Sequence, residues 1–184
     1  MVKLNQMDMK DKITFLDFET TGFKQNRAVS LGIVHYNKGK RVCENYYMIN
    51  PMEQIEFHAI KVHGITKKDV QDKPNFNDTW QEIEKYIVGC TLVAHNAQYD
   101  MKVLLGEIER YNIKCGELES ICTCSNAKIL KIPTQNYKLV TLCEYYGILL
   151  SNHHNALDDT IACEEIFFHL YNEGELVSKM FNKF

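Results

Sequence analysis

The sequence predicts an α/β domain, a mixed sheet flanked by helices, and three observations predict it. Ile13 to Phe18 is a β-branched and aromatic run that reads as a buried central strand. Arg27 to Tyr36 and Arg41 to Ile49 are two further strand-like runs joined by the tight turn Asn37-Lys38-Gly39-Lys40, so the first half folds as an antiparallel meander of three strands. Beyond Pro74, helical periodicities alternate with the short apolar run Thr91 to His95, an order that adds parallel strands and covers the sheet with helices.

The first strand carries the chemistry. Asp17 and Glu19 stand two residues apart near its carboxyl end, and a strand with a side-chain period of two points both to one face. Two like charges on an apolar strand are costly to desolvate unless a cation lies between them, and oxygen ligands suit a hard divalent ion. Thr20-Thr21-Gly22 then breaks the strand with a flexible turn and leaves Phe23 at the mouth of the same site. The competing reading, an edge strand that merely ends in water, fits an isolated Asp-x-Glu better than one preceded by an uninterrupted hydrophobic run.

In order along the chain, Asn50-Pro51 closes the meander and the polar segment Met52 to Thr66 crosses to the helical half. Within it, His63-Gly64-Ile65-Thr66 ends a short helix, with Gly64 placed for a C′ position and Thr66 for the N-cap of the next. Pro74 to Val88 sets Phe76, Trp80, Ile83 and Ile87 at helical spacing and stops at Gly89. Thr91 to His95 is followed at once by Asn96-Ala97-Gln98-Tyr99-Asp100 and a helix to about Tyr111, which places Asn96 and Asp100 at a strand's carboxyl end, where open sheets bind ligands. Helices over about Cys124 to Leu130 and Leu139 to Tyr146 read as packing elements, although Tyr137-Lys138 at the start of the second can reach an anionic strand. His153-His154-Asn155 leads into Ala156 to Ala162 and a last helix to about Tyr171. The tail after Gly174 reads as peripheral.

Composition sets the remaining bounds. At 184 residues, 45% hydrophobic and 24% charged, the chain reads as a single soluble domain over 1–184 with its core in about 12–172. A net charge of −3 supplies no overall basic field, so a nucleic-acid partner has to be held by bound divalent ions and local lysines. No stretch resembles a signal peptide or approaches membrane-spanning length, and seven scattered cysteines point to reduced thiols, so a cytoplasmic location is expected and no membrane partner. Cys115, Cys122 and Cys124 lack a second matched pair and read as incidental thiols rather than a zinc site.

The acids thus lie in three separate segments, each at an element end, with a histidine five residues before the last of them. Oxygen ligands favour Mg²⁺ or Mn²⁺, and carboxylates around two such ions roughly 3.5–4 Å apart suit phosphodiester cleavage, with a neutral imidazole as general base. The order of motifs resembles the DEDDh exonucleases of the DnaQ-like superfamily. Asp17-Phe18-Glu19-Thr20-Thr21-Gly22 is similar to the first motif of that family, His95-Asn96-Ala97-Gln98-Tyr99-Asp100 to the second, and His154-x-Ala156-x-x-Asp159 to the third. His63-Gly64-Ile65-Thr66 is similar to a segment common in its proofreading branch, the epsilon subunits and exonuclease modules of bacterial replicative polymerases. The second motif departs mildly, with Tyr99 where phenylalanine is common.

The resemblance implies a ribonuclease H-like fold with a central five-stranded mixed sheet. It implies a metal-dependent 3′→5′ exonuclease that releases nucleoside 5′-monophosphates from single-stranded DNA. Asp17, Glu19, Asp100 and Asp159 are then the ligands of two divalent ions, and His154 rather than His153 is the base by motif spacing. Thr20, Thr21, Gly22, Phe23, His63 and Asn96 are expected around the terminal nucleotide, and a DNA polymerase is a candidate partner. Two rivals share the motifs: an exoribonuclease of the same superfamily, and an idle nucleic-acid-binding module, whose expected mark is a missing acid or histidine. None is missing.

Overall fold

The computed structural model describes residues 2–3, 12–22, 26–174 and 176–181. Among these, seven strands form one sheet: β1 (Val2–Lys3), β2 (Lys12–Thr20), β3 (Ala28–Asn37), β4 (Lys40–Met48), β5 (Thr91–Ala94), β6 (Leu118–Cys122) and β7 (Val177–Phe181). Their spatial order is β1-β7-β6-β5-β2-β3-β4. β2, β3 and β4 make the expected antiparallel meander, turned at Lys38 and Gly39, both in the left-handed region. β5 pairs parallel to β2, and β6 parallel to β5, completing a mixed five-stranded body. β7 and β1 extend it by antiparallel pairing beyond β6, so the segment after Gly174, expected to be peripheral, is a strand paired on both sides, with Leu176 buried and β1 at the edge.

Among the described residues, seven helices cover the faces: α1 (Phe57–His63), α2 (Lys67–Val70), α3 (Phe76–Ile87), α4 (Gln98–Arg110), α5 (Thr123–Ile129), α6 (Leu139–Tyr146) and α7 (Ala156–Glu173). Their ends follow the local signals. Gly64 and Gly147 close α1 and α6 in the left-handed conformation. Thr66 and Asp69 form a reciprocal capping box on α2. Asn75 and Asn155 accept backbone N–H groups at the starts of α3 and α7.

The alternation of β2 divides the core. Leu16 and Phe18 pack with Trp80, Ile83 and Leu104 under α3 and α4, whereas Ile13 and Phe15 pack with Val93, Ile166 and Phe167 under α7. Asp17 and Glu19 continue the second series, so they point to the α7 face. Gly32 of β3 lies opposite Asp17. A β-carbon there would sit 2.2 Å from the carbonyl oxygen of Ala156, so the missing side chain lets the first turn of α7 rest on the sheet beside Asp17.

Candidate active site

Three elements bring four acids together. Asp17 and Glu19 come from the carboxyl end of β2, Asp100 from the first turn of α4, and Asp159 from the first turn of α7. Oxygens of Asp17, Glu19 and Asp159 lie within 4.8 Å of one another. Asp100 is fixed from the other side, since its Oδ1 accepts the backbone N–H of Phe18 at 3.1 Å. Glu19, Asp100 and Asp159 are buried and Asp17 is less so, which leaves it the most accessible of the four.

Electrostatics mark the cluster as one that seeks a cation. Burial, then Asp100 and Asp159, holds the Asp17 carboxyl well above the usual carboxylate range. Glu19 is pushed up to about 9 by burial and then by Asp17 and Asp159. Asp100 is raised mainly by burial, against the Phe18 N–H that favours its charged form. Without a cation the cluster holds protons it would not hold in water. An all-oxygen donor set with this much unrelieved like charge fits hard divalent ions.

The histidines divide by role. His153 places Nδ1 3.1 Å from both carboxylate oxygens of Asp159, while His154 donates its backbone N–H to Oδ2 of Asp159 at 3.1 Å and adopts a left-handed backbone. The two rings stack at 3.7 Å between centroids. His154 is lowered from the ordinary imidazole value by burial and by His153, against the pull of Asp159, so the ring is neutral near pH 7.

Asp17, Glu19, Asp100, Asp159, Asn96, Tyr99 and both histidines line one cavity of about 690 Å³, and Lys128 and the stretch Gln135–Leu139 line it with them. A separate hollow of about 810 Å³ lies beside Thr21, Glu53, Glu56 and Gln71 and touches none of the four acids.

The residues expected around the terminal nucleotide are placed unevenly. Asn96 lines the acid cavity in a left-handed conformation. Thr20 and Thr21 are buried: the Thr20 hydroxyl bonds the Tyr99 hydroxyl at 2.8 Å, and Thr21 Oγ1 accepts the Arg27 N–H at 3.1 Å. Gly22 turns beside Glu56, with φ +127°. His63 accepts the Ile65 N–H at Nδ1, which leaves its Nε2–H to donate to the Thr20 carbonyl at 3.1 Å. Both nitrogens are therefore engaged within the protein, and His63 braces the turn after β2 within electrostatic reach of His154, which helps burial to lower it. Phe23 lies outside the described residues.

Several supports were not legible in the motifs. Tyr99, besides bonding Thr20, donates to Asn26 Oδ1 at 2.7 Å and so ties the two ends of the turn after β2. Buried Arg27 pairs with Glu107 at 3.1 Å and with Glu53 at 3.2 Å, anchoring the far end of that turn to α4. His95 spans from Thr123 Oγ1 to the Tyr137 carbonyl, at 2.9 and 3.0 Å, and burial lowers it to about 4. Only the position of His95 within the second motif hinted at such work.

The exonuclease family model matches residues 14–167, most of the chain. The chain belongs to the exonuclease family. It is a 3′→5′ exonuclease and therefore a hydrolase of phosphodiester bonds. The chain is 33% identical over 178 residues to the DNA polymerase III subunit epsilon of Rickettsia prowazekii, covering 91% of this chain and 77% of that one. It is 27% identical over 166 residues to the PolC-type DNA polymerase III of Caldanaerobacter subterraneus subsp. tengcongensis, covering 89% of this chain but 12% of that much longer polymerase. Among solved structures, exonuclease X in complex with 5′ overhanging duplex DNA superposes with a TM-score of 0.71 at 27% identity, over 87% of this chain and 91% of that one. The nuclease domain of 3′hExo, a DEDDh family member bound to rAMP, shares the fold at 19% identity with a TM-score of 0.75, over 90% and 94%.

Proposed function

We propose that this exonuclease removes nucleotides from the 3′ end of single-stranded DNA as nucleoside 5′-monophosphates, with Asp17, Glu19, Asp100 and Asp159 holding two divalent ions, Mg²⁺ or Mn²⁺. The observation that carries the reading is the convergence of these four carboxylates, three of them raised, on one cavity. When bound, such ions supply Lewis-acid stabilisation to the attacking and leaving oxygens of the phosphodiester. Asp17, the most accessible acid, is the ligand shared between them. Asp100 is held in register by Phe18 N–H, and Asp159 by His154 N–H.

His154 is the general base that takes the proton of the attacking water. Its ring is neutral and makes no side-chain bond to a carboxylate among the described residues, whereas His153 is engaged with Asp159. Asn96 lies where the terminal nucleotide enters, and the Thr20-Thr21-Gly22 turn, braced by His63, shapes the backbone around it. Residues 1–184 act as one exonuclease domain. The names of the relatives favour DNA over RNA as substrate and a replicative DNA polymerase as partner. Seven free thiols accord with a reducing, cytoplasmic compartment, and no helix among the described residues is long and apolar enough to cross a membrane.

Turnover of matched DNA and RNA oligonucleotides with Mg²⁺ or Mn²⁺ tests the reading, with products resolved by chromatography. Release of 5′-monophosphates from the 3′ end of DNA is expected. Faster turnover of RNA would move the substrate to the exoribonuclease class, and hydrolysis of neither would leave only the binding function.

A further inference from the structure

We propose that Lys128 and Lys138 bind the phosphate next to the scissile one on its 5′ side, making the part of the cavity that they line a subsite for the strand's backbone. This deepens the nuclease reading and takes the scissile position from it.

The argument starts from separated charge. Four carboxylates line the cavity, and so do Lys128 and Lys138, both exposed. Neither lysine forms an ion pair among the described residues, although ammonium and carboxylate groups line the same space. Charges that could neutralise each other stay unpaired, and an anion with both a metal-seeking and an ammonium-seeking phosphate satisfies both sets at once.

The lysine wall is built rather than incidental. His95 Nε2–H donates to the Tyr137 carbonyl at 3.0 Å. Asn136 Oδ1 accepts both the Lys138 N–H, at 3.0 Å, and the Thr141 hydroxyl, at 2.8 Å. Thr134 Oγ1 donates to the Asn136 carbonyl at 2.8 Å. Lys138 thus leaves a segment fixed at four points, directly before α6. Lys128 projects from α5 beside Cys124, which lines the same cavity. The net charge of −3 leaves no general field to hold a polyanion, so two local lysines carry weight that they would lack on a basic surface. The direction follows from the reaction: the nucleotide on the 3′ side leaves, and the strand continues only on the 5′ side.

The test compares a deoxydinucleotide, which has no phosphate 5′ of the scissile one, with the corresponding trinucleotide, which has one. For the wild type, kcat/KM should rise on adding the third nucleotide. In Lys128→Gln and Lys138→Gln that ratio should fall by about three- to tenfold and should recover in the Lys→Arg variants. A second readout does not require hydrolysis: anisotropy of a labelled single strand in EDTA, as a function of salt, should show a binding slope smaller by about one per lysine removed. Ratios and slopes equal to wild type in both Gln variants would overturn the proposal, as would equal losses on the two substrates. If the wild type hydrolysed neither substrate, the nuclease reading would fail, and the salt slope would still decide the lysines.

Discussion

Gly32 faces Asp17 across the β2–β3 ladder, and the carbonyl of Ala156 occupies the space where a Gly32 side chain would begin. The sheet and the third acid-bearing element are in contact through a missing β-carbon. Gly32→Ala therefore has to push the first turn of α7 outward and carry Asp159 away from Asp17 and Glu19. Overpacking of this kind costs about 1–3 kcal/mol, which lowers Tm by roughly 2–12 °C in a chain of this size. Activity with Mg²⁺ should fall much further than stability. A variant with wild-type Tm and turnover would show that α7 does not need this approach.

Without divalent ions, stability should depend on pH with an unusual sign. Glu19 is raised from 4.5 to about 9, so between these values the folded protein holds a proton that the unfolded chain has lost. The slope of stability with pH is then negative across that window. In EDTA, Tm should decline from pH 5 to pH 9, and Mg²⁺ should flatten the decline. Asp17→Asn should reduce turnover by 10³-fold or more, on the order expected for loss of metal assistance, while leaving Tm in EDTA equal or higher. Calorimetry at several pH values measures both, and an unfolded Asp17→Asn protein would contradict the like-charge account.

The two stacked histidines can be separated kinetically. Loss of a positioned base costs on the order of 10²–10⁴ in rate, so His154→Ala should be slow yet retain Mg²⁺ and DNA binding. The wild-type acidic limb should lie below the ordinary imidazole value, because His154 is lowered. That limb should vanish in His154→Ala and persist in His153→Ala. The reverse pattern in pH–rate profiles would assign the base to His153.

The Tyr99 hydroxyl joins Thr20 and Asn26. Tyr99→Phe keeps the ring and removes both bonds, each with a net value of about 0.5–1.5 kcal/mol. A loss of about 1–3 kcal/mol by urea unfolding is expected, with metal affinity retained because no acid moves. Wild-type stability in this variant would mean that the turn after β2 is held by Arg27 and Thr21 alone.

His95 supplies a second pH effect of opposite direction. Its neutral form bridges Thr123 and Tyr137, and burial lowers it from 6.5 to about 4. Between these values the unfolded chain binds the extra proton, so stability falls as pH drops through the window, by at most roughly 3 kcal/mol. His95→Gln should remove this share of acid sensitivity. Unchanged curvature of Tm between pH 4 and 6.5 would place the sensitivity elsewhere.

Much of the fold was legible because its signals are local. The meander was readable from alternation and from Lys38-Gly39, the end of α1 from Gly64, and α6 from its periodicity and Gly147. β6 was hidden because Leu118–Cys122 is short and mixed in character, and β7 because its identity comes from pairing with β6 rather than from its own composition. The convergence of the four acids was legible because each carboxylate interrupts or ends an apolar element, and that contrast is visible in one dimension. The bonds of His63 were hidden for the complementary reason: its spacing is motif-like, but only the folded chain reveals that Thr20 and Ile65 use both ring nitrogens. The bridges made by Tyr99, His95 and Arg27 join residues far apart in sequence and leave no periodic trace.

The pairing of β1 with β7 has a consequence for biosynthesis. Val2 and Lys3 leave the ribosome long before their partners Ser178 and Val177, which follow more than 170 residues later. Until then β6 presents an open edge, and β1 has nothing to pair with. This margin of the sheet should close last during synthesis, giving other strands, including those of a second nascent copy, an interval in which to occupy it.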